Sequence, residues 1–175
     1  MNMETIEVPQ GVQVSTGEGL LHVKGKLGAT SKRINERLFS VKIEGNKLHV
    51  EQTKNKKLAK KSGLAVLAFA AEARSSMKSV NEGIERKMVV FFSHFPMVIE
   101  IKGKSVVIKN IFGERVPRVT EIVGETKVEV KGQDVTVKGV DAYDVGQTVA
   151  NIRKACYSIG DTRVFQDGVY IAKNE

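Results

Sequence analysis

The chain repeats one set of landmarks along its length, and this internal repeat restricts the fold more than any other feature. Pro9 and Pro96 each open a segment that ends in an apolar residue followed by glycine, and they lie 87 positions apart. Gly45 and Gly132 each occupy the turn between two apolar segments, and the same 87 positions separate them. One constant offset at two distant landmarks indicates a duplicated unit, with a boundary near Gly83.

Each predicted domain, 1–83 and 84–175, consists of short strands joined by tight turns. Val12–Thr16 alternates apolar and polar residues, which is the period of a half-buried strand. Glycine-containing turns join further strand pairs in both domains, and connections this short favour antiparallel pairing. The other predicted strands are Leu20–Lys24, Val41–Ile43, Leu48–Val50, Val98–Ile101, Val106–Ile108, Val128–Val130 and Val135–Val137.

Apolar residues at helical spacing predict one main helix in the first domain, with two neighbouring rows facing a sheet. The first row is Leu64, Leu67, Ala68 and Ala71, and the second is Val66, Phe69, Ala70, Ala73 and Met77. A short extra helix is predicted over Ser31–Leu38, capped by Thr30 or Ser31.

The second domain repeats the helix, with Asp141 as the predicted N-cap. Its apolar positions at i, i+3, i+4 and i+7 are Val145, Thr148, Val149 and Ile152. The fold class is therefore α+β: two duplicated domains, each an antiparallel β-sheet packed against one main α-helix.

The composition excludes several classes of protein. The longest apolar run, Leu64–Ala71, has eight residues, against about 20 for a membrane-spanning helix. The N-terminus has no apolar core, so no signal peptide is expected. Cys156 is the only cysteine, which rules out an intrachain disulfide and suits a reducing cytoplasm.

The chemistry of catalysis and metal binding is missing from the sequence. The three histidines and the cysteine lie far apart, without the spacing of metal ligands. Gly25–Gly28 lacks the preceding glycine and the following hydroxyl residue of a phosphate-binding loop, so it is interpreted as a turn. No nucleophile lies beside a base, and we therefore expect no enzyme, no catalytic residue, no cofactor and no metal.

The charge balance points to a polyanionic partner. The 175 residues include 28 Lys and Arg against 20 Asp and Glu, a formal charge of +8. Such an excess favours nucleic acid first and an anionic membrane surface second. A run without acidic residues between Glu51 and Glu72 contains Lys54, Lys56, Lys57, Lys60 and Lys61. Lysines before a helix have the wrong sign for its dipole, so this run is interpreted either as an anion-binding segment or as a solvated loop.

The second domain has its own basic residues, and each has a structural alternative. Arg153 and Lys154 lie at the predicted C-terminus of the helix, where cations also favour the helix itself. Arg163, Phe165, Tyr170 and Lys173 interleave basic and aromatic side chains, a pattern suited to phosphates and unpaired bases. Phe165 is equally compatible with a place in the core.

Several segments together resemble the large-subunit ribosomal protein family numbered six in the universal scheme. The segments that carry the resemblance are Val137–Asp141, Val145–Gln147, Ile152–Lys154 and Arg74–Gly83. The ending, Arg163–Ile171, is similar to the archaeal and eukaryotic branch, and the short chain favours an archaeal-type member. The likeness extends over essentially the whole chain.

The resemblance implies a structural constituent of the large ribosomal subunit, present as a single copy in the cytoplasm. It implies binding to large-subunit rRNA near the sarcin–ricin loop and the stalk base, beside neighbouring ribosomal proteins and the docking region of translational GTPases. It also implies that the second domain is the main rRNA-binding domain. The RNA-binding residues carried over are Ser93, His94, Gln147, Arg153, Lys154, Arg163 and Lys173, with Arg74 added from the interdomain segment.

Two other functions remain open from the residues alone. One is an RNA-binding module that acts outside the ribosome, and the other is a basic adaptor for an acidic protein. Binding of varied transcripts would indicate the first, and binding that survives nuclease treatment would indicate the second.

Overall fold

The computed structural model describes residues 3–52, 59–93, 95–158, 161 and 163–172, and for residues 59–61 it describes the backbone only. The chain divides into two compact units, Met1–Gly83 and Ile84–Glu175. Every strand pairing within either unit is antiparallel.

The first unit contains six strands that form two three-stranded sheets. The strands are β1 (Met3–Glu7), β2 (Gln13–Gly17), β3 (Leu20–Lys24), β4 (Ala29–Arg33), β5 (Phe39–Glu44) and β6 (Lys47–Gln52). One sheet has the order β1-β6-β5 and the other β2-β3-β4. The hairpin pattern predicts the strands β2, β3, β5 and β6 but does not indicate their division into two sheets.

The prediction of a helix over Ser31–Leu38 is wrong, because the first three residues of this segment belong to β4. Leu20 pairs with Arg33 and Lys24 with Ala29, so β3 supplies hydrogen-bonding partners along the whole of β4. Thr30 is buried while its neighbours are exposed, which is the period of a strand. A segment of eight residues is too short to sustain a helix without such tertiary support.

The helix α1 (Ala59–Glu82) packs against both sheets of the first unit. Its buried face includes Val66, Phe69, Ala70, Ala73 and Met77, as predicted. The prediction that the first row faces a sheet is wrong: Leu64, Leu67, Ala68 and Ala71 are all exposed, because one face of the helix suffices to contact both sheets.

The turn between β3 and β4 closes the C-terminal end of α1. The amide of Leu27 donates to the carbonyl of Val80 at 3.0 Å, which satisfies one of the free carbonyls at the end of the helix. A Cβ at Gly25 would lie 2.7 Å from the side chain of Val80, so this approach requires glycine. The structure confirms that Gly25–Gly28 is a turn.

The second unit repeats this order and adds one strand. Its strands are β7 (Ile84–Phe91), β8 (Val98–Lys102), β9 (Ser105–Lys109), β10 (Arg118–Glu121), β11 (Lys127–Lys131), β12 (Asp134–Gly139) and β13 (Gly168–Ile171). The sheets have the orders β11-β12-β7-β13 and β10-β9-β8. When β13 is set aside, every pairing among the six strands β7 to β12 corresponds to a pairing in the first unit. The predicted duplication and the α+β fold class are confirmed.

The helix α2 (Ala142–Ala155) closes the core of the second unit. The side chain of Asp141 accepts a hydrogen bond from the amide of Tyr143 at 2.8 Å, which confirms the predicted N-cap. Val145, Thr148, Val149 and Ile152 are buried, as predicted. The helix packs against β7, β10, β12 and β13, and the side chains of Arg153 and Lys154 in its last turn are exposed.

Candidate nucleic-acid interface

The last turn of α2 presents two cations to solvent. Arg153 and Lys154 are both exposed, and both lie where the helix dipole is negative, so the helix itself favours them. The amide of Cys156 bonds back to the carbonyl of Arg153 at 3.1 Å and closes the turn. The backbone that carries the two cations is therefore held by hydrogen bonds.

Arg118 of β10 holds the end of α2 from outside. Its Nη1 donates to the carbonyl of Ala155 at 2.9 Å and to that of Tyr157 at 2.8 Å. Its Nε donates to Glu114 at 2.8 Å. The hydrogen bond and the charge of Arg118 lower the pKa of Glu114, and the same hydrogen bond raises the pKa of Arg118. Arg118 is thus occupied within the fold, whereas Arg153 and Lys154 point outward.

A series of ring contacts continues from Arg118 to the C-terminal loop. The guanidinium carbon of Arg118 lies 5.9 Å from the ring centre of Phe112, within the range of a cation–π interaction. The rings of Phe112 and Phe165 meet edge to face, with their centres 6.1 Å apart. Through these contacts, the cationic end of α2 and the loop that carries Arg163 belong to one connected surface.

Beside Phe165 lies an open cleft of about 480 Å³, which we call the aromatic cleft. It is bordered by Ser93, Phe95, Phe112, Arg163, Phe165 and Asp167. The structure therefore brings together two of the predicted site residues, Ser93 and Arg163, which are 70 positions apart in the sequence.

Both walls of the aromatic cleft are fixed by hydrogen bonds. The amide of Ser93 donates to the buried carboxylate of Asp167 at 2.8 Å. The side-chain nitrogen of Asn110 donates to the carbonyl of Pro96 at 3.1 Å. Gly113 has a φ of +75°, and a Cβ there would lie 3.2 Å from the ring of Phe95, so glycine suits both the backbone and the packing.

Arg163 stands on the rim of the aromatic cleft with its side chain 88% exposed. Its Nη2 lies 2.9 Å from Oδ2 of Asp161. The hydrogen bonds from Arg163 lower the pKa of Asp161, and the hydrogen bond with Asp161 raises the pKa of Arg163. An exposed pair of this kind contributes little to stability.

Other predicted site residues make contacts within their own unit. Gln147 is half-buried and donates to the side chain of Asn151 at 2.9 Å. Arg74 donates to Glu4 of β1 at 2.7 Å. The backbone of Lys60 and Lys61 forms the first turn of α1, inside the helix and not before it. The predicted residues that lie outside the described part of the chain are Lys54, Lys56, Lys57, His94 and Lys173.

The structure answers one question that the sequence left open and adds residues that the sequence analysis did not select. Phe165 is 51% exposed, so it is not a core residue. Phe95, Phe112, Arg118 and Asp167 join the surface although none was predicted to do so. The Phe-rich segment before Pro96 was a partial signal, whereas the interactions of Arg118 and Asp167 leave no local pattern in the sequence.

The described residues hold no group of three or more His, Cys, Asp or Glu side chains placed to bind a metal ion. In that same part of the chain, no helix combines the length and the apolar character needed to cross a membrane. Burial raises the pKa of the Cys156 thiol, which disfavours the reactive thiolate.

Comparison with known proteins identifies many relatives. The model of the family described as ribosomal protein L6 matches residues 95–168. A protein of Methanocella arvoryzae is 42% identical over 95% of this chain and 93% of its own length. Proteins of Thermoplasma volcanium and Methanosarcina mazei are 40% and 37% identical, each over 97% of this chain and 95% of its own length. All three are named large ribosomal subunit protein uL6.

Proposed function

This chain belongs to the ribosomal protein L6 family, and on that premise we propose that it is a structural, non-enzymatic constituent of the large ribosomal subunit that binds large-subunit rRNA. The archaeal sources of its relatives agree with the archaeal-type member that the sequence resembles. In this proposal the protein acts in the cytoplasm, as a single copy in each large subunit.

The observation that carries the proposal is the connected surface from the end of α2 to the aromatic cleft. Arg153, Lys154 and Arg163 are all exposed there, on backbone that hydrogen bonds hold in place. Cations at fixed positions neutralise phosphates and release counterions when they meet folded RNA. We therefore assign the main rRNA contact to the second unit, 84–175.

The charge of the first unit supports a second RNA contact within the same proposal. Residues 1–83 carry 14 basic and 8 acidic side chains, whereas residues 84–175 carry 14 and 12. The larger excess in the first unit favours an additional contact through the segment from Lys54 to Lys61 and through Arg74. The described ion pair of Arg74 with Glu4 is exposed, so a phosphate is able to compete for Arg74.

The position on the subunit is the finer part of the proposal. We place the protein near the sarcin–ricin loop and the base of the stalk, next to other large-subunit proteins and close to where translational GTPases dock. The family resemblance of residues 137–154 and 163–171 supports this position.

The test is the affinity of the purified protein for a transcript of the 3′-most domain of the large-subunit rRNA, measured at several salt concentrations. We expect tight binding whose logarithm falls linearly with the logarithm of the salt concentration. A small-subunit rRNA transcript of equal length is the control, and it should bind more weakly at every salt concentration. Equal binding of the two transcripts, or binding that salt does not weaken, would overturn the proposal.

A further inference from the structure

The second unit exposes phenylalanine side chains in an unusual concentration. Of the seven phenylalanines in the chain, three have exposed side chains, and these are Phe91, Phe95 and Phe165 at 46%, 48% and 51%. Two of the three, Phe95 and Phe165, border the aromatic cleft. Apolar surface of this kind is stabilised when a ligand removes it from water.

We propose that the aromatic cleft is a binding site for one unpaired nucleobase of the RNA, stacked against the ring of Phe165. This inference rests on the proposed function, which supplies the RNA, and goes beyond it by naming a base-binding site. The volume of about 480 Å³ is within the range of clefts that bind small organic ligands, roughly 300–1,000 Å³. Unpaired bases in RNA are commonly bound by stacking on aromatic side chains.

Charge distinguishes a nucleotide from an apolar peptide as the occupant. A nucleotide brings a phosphate with its base, and the exposed guanidinium of Arg163 stands on the rim of the same cleft. Guanidinium groups bind phosphate through two parallel hydrogen bonds. The pairing of Arg163 with Asp161 is exposed and weak, so it does not prevent this contact.

The loop that carries Phe165 is already ordered by its own hydrogen bonds. The amide of Phe165 donates to the carbonyl of Asp161 at 2.8 Å, and the side chain of Gln166 donates to the carbonyl of Arg163 at 3.2 Å. Asp167 then joins the loop to Ser93. A site held in its binding geometry loses little entropy when a ligand enters, which favours affinity.

The test compares Phe165→Leu with Phe91→Leu in binding to the transcript of the 3′-most rRNA domain. Both variants replace a half-exposed phenylalanine by an apolar residue without an aromatic face, but only Phe165 borders the cleft. We expect Phe165→Leu to weaken binding by roughly 5-fold or more and to leave the slope against salt unchanged, since no cation is lost. Phe91→Leu should bind as the unaltered protein does.

A third variant and a cross-link keep the result interpretable. Phe165→Tyr retains the aromatic face and should restore the affinity, which separates stacking from a defect in folding. Ultraviolet cross-linking of the unaltered complex, followed by mass spectrometry, should join a base to the peptide that contains Phe165.

Three results would overturn the base-binding site while leaving the proposed function intact. They are equal affinities of Phe165→Leu and Phe91→Leu, failure of Phe165→Tyr to restore binding, and a cross-link that avoids the 163–167 loop. If the unaltered protein shows no salt-dependent binding to the transcript, that different result would overturn the proposed function itself.

Discussion

The backbone amide of Ser93 and the carboxylate of Asp167 form a hydrogen bond of 2.8 Å, although the two residues are 74 positions apart in the sequence. This bond joins the segment that leaves β7 to the loop that precedes β13. Asp167 is only 8% exposed, so water does not readily replace the lost partner if the bond is removed. The contact between these two segments at the aromatic cleft therefore depends on one buried side chain.

Replacement of Asp167 should loosen this side of the second unit. We expect Asp167→Ala to lower the free energy of unfolding by about 1.5–3 kcal/mol, because the hydrogen bond involves a charged group in a buried site. Asp167→Asn keeps an acceptor oxygen and should cost less. Urea unfolding measures both values, and hydrogen exchange at the Ser93 amide should accelerate most in Asp167→Ala. Unaltered exchange at Ser93 in that variant would contradict the prediction.

Replacement of Arg118 by lysine should lower the stability of the second unit, although lysine carries the same charge. Its planar group donates to two carbonyls at the end of α2 and to Glu114 at once, which a single ammonium group is unable to reproduce. We expect Arg118→Lys to lower the free energy of unfolding by about 1–2 kcal/mol. Arg115→Lys is the matched control, because Arg115 is exposed and lies in the same segment.

Hydrogen exchange locates the effect of Arg118→Lys within the unit. Amides in the last turn of α2 should exchange faster than in the unaltered protein, because the carbonyls of Ala155 and Tyr157 lose their outside partner. Equal stability of the Arg118→Lys and Arg115→Lys proteins would show that the hydrogen bonds of Arg118 to Glu114, Ala155 and Tyr157 contribute nothing to the free energy of unfolding.

The Glu114–Arg118 pair predicts a loss of stability in acid. The pKa of Glu114 is lowered from its ordinary value of 4.5, so the folded state favours the carboxylate. The stabilisation is therefore present above the unfolded pKa and disappears as the pH falls through the folded pKa. Glu114→Gln should be less stable than the unaltered protein at neutral pH but should lose less stability on acidification. Parallel pH profiles of the two proteins would contradict this prediction.

Removal of the two cations in the last turn of α2 should weaken RNA binding through electrostatics alone. We expect the double variant Arg153→Gln and Lys154→Gln to reduce the slope of log affinity against log salt by about two. The helix loses two favourable dipole contacts, worth about 0.3–1 kcal/mol each, so the fold should persist. Lys127→Gln with Lys131→Gln removes the same charge from β11 of the same unit and should reduce the slope less.

Asp161 should act against RNA binding, because its carboxylate competes with phosphate for Arg163. We expect Asp161→Asn to tighten binding by several-fold at low salt, since it frees the guanidinium and removes a negative charge beside it. Filter binding of Asp161→Asn beside the unaltered protein measures the change. Weaker binding by Asp161→Asn would show that the pair orients Arg163 for its contact.

The hairpin strands β2, β3, β5, β6, β8, β9, β11 and β12 were predictable because each local signal agrees with the fold, whereas β1, β4, β7, β10 and β13 were not predicted. Alternating residues such as Val12–Thr16 and glycine turns such as the one at Gly45 define antiparallel hairpins without any knowledge of the whole. The segment Ser31–Leu38 failed because β3, which lies elsewhere in the sequence, decides its structure. The two rows on α1 were equally apolar, and only the positions of the two sheets determine that Leu64 and Leu67 face solvent.

The aromatic cleft was only partly predictable, for a related reason. Three separate segments form it, around Ser93, Phe112 and Phe165, and the contacts that join them involve a backbone amide and ring edges. Such contacts leave no periodic pattern. The exposed positions of Arg153 and Lys154 were predictable because charge at the end of a helix is visible in the sequence, and their contact with RNA stays a prediction.

The measurement that most directly tests a role as a large-subunit constituent is the stoichiometry of this protein across a sedimentation gradient of cell extract, determined by quantitative mass spectrometry. We predict one copy for each large subunit, in the large-subunit, ribosome and polysome fractions, and release from those fractions after ribonuclease treatment. A protein that remains at the top of the gradient, or that sediments with a protein partner after the RNA has been digested, would contradict the account.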